Sequence, residues 1–158
     1  MRKSGKKLIV GVMVCLLTGV LAAGCAKKEV TIDVPGLAEK LLTGVAYKDE
    51  LSEIDLETAG MIYSLEDAGI EEGRVYVSSG ATAEEIAVFR CKTDDDAKLV
   101  KTAFEDRVTG QKESFQDYVP EELDKLNKAV IMVSGKYAVL SISDEDSKAK
   151  DIINEAFK

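Results

Sequence analysis

The chain contains two stretches that follow the same order of structural signals: strand, tight turn, strand and amphipathic helix. Both turns carry Ser-Gly, at Gly80 and Gly135, and both helices carry an Ala-Phe pair, at Ala103 and Ala156. Period-two alternation followed by helical spacing is typical of a ββα unit. Two such units predict an α+β fold with one four-stranded antiparallel sheet and helices over one face. The units either represent a duplication or look alike because any two amphipathic ββα units do.

Local signals also predict where the individual elements begin and end. Asp33 followed by Pro35 indicates the start of a first helix, and Asp55 can cap a second short helix, so an N-terminal helical segment precedes the sheet. Gly69 and Gly73 are predicted to bracket a turn-rich stretch. The other predicted elements are strands at 75–79 and 85–92, a long helix at 93–118, strands at 129–133 and 137–143, and a final helix at 144–158.

The N-terminus has the parts of a bacterial export signal. Four cations precede an uncharged run that ends in small residues and Cys25. This ending resembles a lipobox, which implies cleavage between Gly24 and Cys25 and diacylglycerol on the Cys25 sulfur. The alternative is an uncleaved anchor, because the run approaches the roughly 20 residues that span a bilayer. The predicted organisation is a signal peptide at 1–24, a lipidated tether at 25–33 and one domain at 34–158.

Charge and composition narrow the classes of partner and of chemistry. The net charge is −8, and loss of the four signal-peptide cations takes it to −12. Such an acidic domain does not attract nucleic acid or anionic lipid through its own field, so we expect membrane attachment through the lipid on Cys25, at the outer face of the cytoplasmic membrane. The absence of His excludes Ser-His-Asp and Cys-His nucleophile pairs and His-ligated metal sites. We expect no cofactor.

Two isolated nucleophile candidates have simpler interpretations. Cys91 is the only thiol outside the predicted signal and lipidation site, and a lone Cys in an apolar strand usually packs as a small hydrophobe. The alternative, a reactive thiol, has no His to lower its pKa. Ser147 and Lys150 have the spacing of a Ser-Lys nucleophile pair, but the companion motifs of that enzyme class are absent, so we attribute the match to chance.

Two acidic runs, Asp94–Asp96 and Asp144–Asp146, stand where a strand meets a helix. One interpretation is calcium binding, because a glutamate falls at the twelfth position of an EF-hand count in each case. That loop also needs a glycine at its sixth position, and neither run supplies one. The other interpretation is helix capping by Thr93 and Ser143, each with an Asp three residues later. We expect capping and no metal site.

Gln111 is the polar residue that we single out on the apolar face of the long helix, between Val108 and Phe115. One interpretation is a buried amide that ties the helix to a loop or an edge strand. The alternative is a polar group that lines a cleft together with Tyr118. Gln111 and Tyr118 are therefore the candidate cleft residues, and no catalytic or cofactor-binding residue is predicted.

Two segments of the chain resemble a known family. The first runs from Gly80 to Phe89, and the second is Gln111-x-x-Ser114-Phe115-x-x-Tyr118-x-Pro120-x-Glu122. They are similar to the bacterial lipoprotein family catalogued as domain of unknown function 4358, over about Ile32 to Ser143. The resemblance implies an exported lipoprotein, typical of Gram-positive bacteria, and it implies no activity.

The function expected from these features is a non-catalytic module that binds a protein or small-molecule partner at the cell envelope. A short lipid tether, a small acidic domain and the lack of a nucleophile, metal or cofactor motif favour this interpretation. The alternative is a cell-wall or carbohydrate hydrolase that uses two carboxylates, since 29 acidic residues permit many pairs.

Overall fold

The computed structural model describes residues 31–158. The predicted signal peptide, its cleavage site after Gly24 and the predicted lipidation site Cys25 lie outside these residues. Across 31–158, no helix is both long enough and apolar enough to cross a bilayer. Ile32 is already buried in the core, so the packed domain includes the end of the segment that was predicted to be a tether.

Five α-helices and five strands make up the regular structure of the described residues. The helices are α1 (Val34–Gly44), α2 (Leu56–Tyr63), α3 (Asp94–Phe115), α4 (Leu123–Asn127) and α5 (Asp146–Ala156), and a 3₁₀ turn at Pro120–Glu122 precedes α4. The strands are β1 (Ser52–Ile54), β2 (Ile70–Val77), β3 (Glu85–Cys91), β4 (Val130–Ser134) and β5 (Tyr137–Ile142). The α+β class is confirmed. The caps at Asp33 and Asp55 are also confirmed, since each carboxylate accepts a backbone N–H three residues later.

The sheet contains the two predicted hairpins and one additional strand. Its order is β1-β2-β3-β5-β4, and every neighbouring pair is antiparallel. The predicted number of four strands is therefore wrong by one. The extra strand, β1, has three residues and pairs with the end of β2 from Val75 to Val77. A strand of three residues is too short to show the period-two pattern that indicates a strand in a sequence.

The helices cover both faces of the sheet, so the prediction of helices over one face is wrong. On β3, Ala87 and Phe89 belong to the core under α2 and α3, whereas Ile86 and Val88 belong to the core under α1 and α5. The central strands β3 and β5 are apolar on both faces, and each face needs a cover. Phe89 of β3 and Leu140 of β5, at corresponding positions of the two ββα units, belong to the same core cluster, whereas Val75 of β2 and Val130 of β4 belong to opposite ones. The helices α3 and α5 of the two units also pack on opposite sides of the sheet.

Gly73 lies within β2 rather than at a turn, which corrects the prediction for this stretch. It pairs with Phe89 on β3, and a Cβ at Gly73 would lie 2.5 Å from Cδ1 of Phe89 and 2.8 Å from Cδ2 of Leu56. The Phe89 ring therefore crosses over the glycine and stacks with Phe104 of α3 at a centroid distance of 5.9 Å. A missing side chain on β2 thus allows an aromatic cluster to form between the sheet and α3.

The two acidic junctions differ in structure. At α3, Thr93 and Asp96 form the predicted capping box, with the Thr93 hydroxyl accepting the Asp96 N–H at 3.0 Å. At α5 the prediction is wrong, because the helix begins two residues after the predicted start and Ser143 does not cap it. Ser143 is instead buried just beyond β5, and Glu145 Oε2 accepts the N–H of Ala46 at 2.8 Å. Glu145 thereby joins α5 to the end of α1.

Candidate ligand-binding site

A buried ion-pair network fixes the loop that leads into β3. The Glu84 carboxylate accepts the backbone N–H groups of Lys48 at 2.9 Å and Asp49 at 3.0 Å. Lys125 Nζ lies 2.9 Å from Glu84 Oε1 and 2.9 Å from Glu122 Oε2, and all three side chains are fully buried. Burial alone would raise the pKa of Glu84, but the backbone donors and Lys125 outweigh it and hold the pKa below its usual value. Glu84 therefore stays ionised and joins three segments of the chain.

The next residue, Glu85, belongs to a second buried network on the α3 side of the sheet. Tyr63 donates its hydroxyl to Glu85 Oε1 at 2.7 Å, and Arg107 Nη2 lies 2.8 Å from Oε2. Gln111 Nε2 donates to the same Oε2 at 3.1 Å. Burial raises the pKa of Tyr63, and the charge of Glu85 raises it further, so the phenol remains a donor. Three donors from α2 and α3 therefore hold one carboxylate of β3 in place.

This network forms the floor of a groove between α3 and the β2–β3 loop, which we call the Tyr118 groove. The groove has a volume of about 620 Å³, within the range of small-molecule sites. Its walls combine hydroxyl groups, apolar side chains and two aromatic rings. The lining residues are Ile62, Val77, Ser78, Ser79, Gly80, Thr82, Glu85, Arg107, Gln111, Ser114, Phe115, Tyr118 and Val119.

The most exposed large apolar side chains lie on the same side of the sheet as the groove. Among the described residues these are Tyr118, Met61, Leu99 and Leu56, with Tyr118 87% exposed. They belong to α2, α3 and the segment directly after α3, whereas α1 and α5 on the opposite side carry none. The groove therefore lies on the side of the domain that carries the exposed large apolar side chains, and one of them, Tyr118, lines it.

The structure brings Gln111 and Tyr118 to the same groove. Gln111 is buried and bonded to the central strand β3 rather than to a loop or an edge strand, and it also lines the cavity. Sequence reasoning missed Glu85 and Arg107. A signal for Glu85 was present, because period-two alternation places it on the same face as Ala87. Arg107 stands four residues before Gln111 and so shares its helix face.

The remaining sequence candidates lie elsewhere. Asp96 caps α3 and also accepts the N–H of Gly69, while Asp144 pairs with Lys48. Within 31–158, no group of three or more Cys, Asp or Glu residues is arranged to hold a metal ion. Ser147 and Lys150 are both exposed on α5, away from the groove.

Cys91 packs as a small hydrophobe, as predicted. Its side chain is fully buried at the end of β3, in the same core cluster as Phe89. Burial raises the pKa of the Cys91 thiol to about 12, and the charges of Asp96 and Glu71 contribute in the same direction. The thiolate needed for nucleophilic chemistry is therefore scarce at neutral pH.

Comparison with known proteins identifies a family. No curated protein and no solved structure matches the chain. The family described as Domain of unknown function (DUF4358) matches residues 45–143, which is more than half of the chain. This segment includes all five strands and the whole Tyr118 groove, whereas α1 and α5 lie outside it. The chain therefore belongs to the DUF4358 family, as the resemblance in its two segments predicted.

Proposed function

We propose that the protein is an exported lipoprotein, anchored through diacylglycerol on Cys25, whose domain binds a ligand at the cell envelope in the Tyr118 groove. Export and anchoring are supported by the cationic, apolar and small-residue segments that end at Gly24 and Cys25. Binding is supported by one observation above all. A cavity of ligand size has a fixed polar floor and lies on the side of the domain that carries the exposed large apolar side chains.

The floor of the groove is arranged for binding before any ligand arrives. Glu85 is held by three donors, and in return it fixes the positions of Arg107 and Gln111. Side chains that are already ordered do not lose rotamer freedom when a ligand binds, which favours affinity. The charges of Glu85 and Arg107 compensate each other, so the groove suits a ligand segment that is uncharged and carries hydrogen-bonding groups.

The two-carboxylate hydrolase has less support. Such an enzyme needs an acid and a second carboxylate on opposite sides of the scissile bond. Among the described residues that line the groove, Glu85 is the only carboxylate, and three donors already occupy it. Glu84 is engaged by Lys125 and two backbone N–H groups and does not line the groove. The arrangement therefore favours binding over hydrolysis.

A photocrosslinker in intact cells tests the binding function. Benzoylphenylalanine at Tyr118 should form an adduct with a defined envelope component, identified by mass spectrometry after recovery through a C-terminal tag. The same residue at Lys150, exposed on the opposite side of the sheet, is the control. Ser114→Phe should abolish the Tyr118 adduct by filling the groove. Identical adducts from both positions, or an adduct that survives Ser114→Phe, would contradict the proposal.

The anchoring half of the proposal has a separate test. Cells given labelled palmitate should incorporate the label into the wild-type protein, and the Cys25→Ala variant should remain unlabelled and leave the membrane fraction. Cys91→Ala is the matched control, and it should retain the label. Label that persists in Cys25→Ala would show that the N-terminal segment anchors the protein in another way.

A further inference from the structure

A second cavity, of about 470 Å³, lies along α3 beside the Tyr118 groove; we call it the Asp106 pocket. The two cavities have four lining residues in common: Ile62, Arg107, Gln111 and Ser114. Because the same side chains form a wall of both, the cavities adjoin each other along about two turns of α3, from Arg107 to Ser114. A ligand longer than either cavity can therefore extend from one into the other.

The Asp106 pocket differs from the groove in charge. It is lined by Asp67 and Asp106, which are both exposed and form no ion pair within the described residues. Among the described residues, Arg107 is the only cation that lines the pocket, and its charge is compensated by Glu85 at 2.8 Å. The pocket therefore presents two uncompensated negative charges, which favour a cationic group on the ligand.

Gly110 lines the Asp106 pocket and places no side chain in its wall. A glycine inside a helix is less favourable than alanine, so its presence in α3 calls for a reason. Its φ angle is not positive, and a Cβ at this position would meet no atom within 4 Å. Neither backbone geometry nor close packing therefore requires the glycine. The absence of a side chain at Gly110 leaves open space in the wall of the pocket.

The wall between the two cavities also carries a hydrogen-bond acceptor without a donor. Gln111 is 8% exposed and lines both cavities, and its Nε2 donates to Glu85, while its Oε1 is shielded from solvent and accepts no hydrogen bond within residues 31–158. A buried acceptor left unpaired is costly, and an N–H group of a ligand would satisfy it after a small movement of the side chain. The central part of a ligand is therefore expected to carry N–H donors.

We infer that the Tyr118 groove and the Asp106 pocket together bind one extended peptide that carries an ammonium group, and this inference rests on the proposed binding function. The ammonium group lies at Asp67 and Asp106, a backbone N–H bonds to Gln111 Oε1, and the following residues occupy the groove. A peptide suits these walls better than a glycan. Sugars stack on fixed aromatic faces, whereas the one highly exposed ring here, Tyr118, stands at the rim beside apolar and hydroxyl side chains.

The charge preference is tested with two acetylated hexapeptide mixtures that differ only in their first residue, lysine or norleucine, and carry a C-terminal fluorophore. Fluorescence anisotropy with the full-length protein in detergent micelles should show about three- to tenfold tighter binding of the lysine mixture at low salt. The double variant Asp67→Asn/Asp106→Asn should bind both mixtures equally. Both carboxylates are exposed, so this variant should fold normally. A lysine preference that survives the double variant overturns the inference.

The route through the Asp106 pocket is tested by filling it. Gly110→Phe should weaken binding of the lysine mixture more than tenfold, whereas Gly60→Phe should not change it. Gly60 is the matched control, because it lies in helix α2, has open space around it and lines neither cavity. Equal affinities of the two variants would show that the peptide does not enter the pocket.

The outcomes separate this inference from the proposed function. Equal binding of both mixtures, lost in Tyr118→Ala, overturns the inference and leaves the groove as a binding site. If N-acetylglucosamine hexamer binds and neither peptide mixture does, the peptide assignment is overturned, and the groove again remains a binding site. If neither mixture binds, the inference is wrong, and the crosslinking at Tyr118 then decides whether the groove binds anything else.

Discussion

Removal of the Lys125 ammonium group should destabilise the protein more than removal of any exposed cation. Lys125→Met keeps most of the aliphatic volume but leaves Glu84 and Glu122 buried without a counter-charge. Breaking a buried ion pair in this way typically costs about 3–5 kcal/mol. Glu84 keeps its two backbone donors, and Glu122 keeps the N–H of Ala83 at 2.9 Å. We therefore expect the lower end of that range, about 3 kcal/mol.

This loss is large enough for a simple thermal measurement. For a domain of about 130 residues, 1 kcal/mol corresponds to about 4 °C in Tm, so Tm of Lys125→Met should fall by about 12 °C. Lys98→Met is the control, because Lys98 also pairs with an acid three residues before it, at 2.6 Å from Asp95. That pair is 70% and 87% exposed, so its removal should leave Tm nearly unchanged.

Circular dichroism melts of the full-length variants in micelles measure the difference. Replacing both carboxylates as well, in Glu84→Gln/Glu122→Gln/Lys125→Met, should recover part of the lost Tm, because no uncompensated charge then remains in the core. The reasoning would be refuted if Lys125→Met and Lys98→Met lowered Tm equally. It would also be refuted if the triple variant were less stable than Lys125→Met alone.

Three further predictions follow from the same structure. Folding lowers the pKa of Glu84 and raises that of Lys125, so their stabilisation should be lost as pH falls below about 4.5 or rises above about 10.5. The urea concentration at the unfolding midpoint should therefore fall with pH on the acid side, and the same fall in Glu84→Gln would contradict this. Gly73→Ala should cost about 1–3 kcal/mol in urea denaturation because its Cβ meets the Phe89 ring, while Gly60→Ala, in open space, should cost nothing. Millimolar calcium or a chelator should shift Tm by less than about 1 °C, and a large stabilisation would show that the acidic junctions bind metal.

Much of the secondary structure could be predicted because its signals are local. Asp33, Asp55 and Thr93 each cap a helix through a backbone N–H three residues away, so the relevant atoms are close in sequence. The same logic failed at Ser143, where a serine before an acidic run is buried directly after the end of β5. Local capping preference cannot take account of a residue that the sheet places in the core.

The candidate site was predicted only in part. Periodicity indicated Gln111 and suggested Tyr118 beside it, since both lie on the helix predicted for 93–118, although α3 ends at Phe115 and Tyr118 follows it. Glu85 and its partners could not be paired from the sequence, because Tyr63 and Arg107 each stand 22 residues away, on different helices. The sequence contains many other acids and cations at similar separations, and the periodicity of apolar residues does not show which of them pair.

The sequence by itself determined the α+β class, the two central hairpins and the starts of most helices, because these depend on interactions within a few residues. Only the tertiary structure decided that α3 and α5 cover opposite faces, that β1 extends the sheet and that two cavities adjoin at Arg107 and Gln111. The physical reason is that these features follow from the burial of both faces of β3 and β5. Local sequence preferences do not decide which face of the sheet a helix covers, whereas the need to bury both faces does.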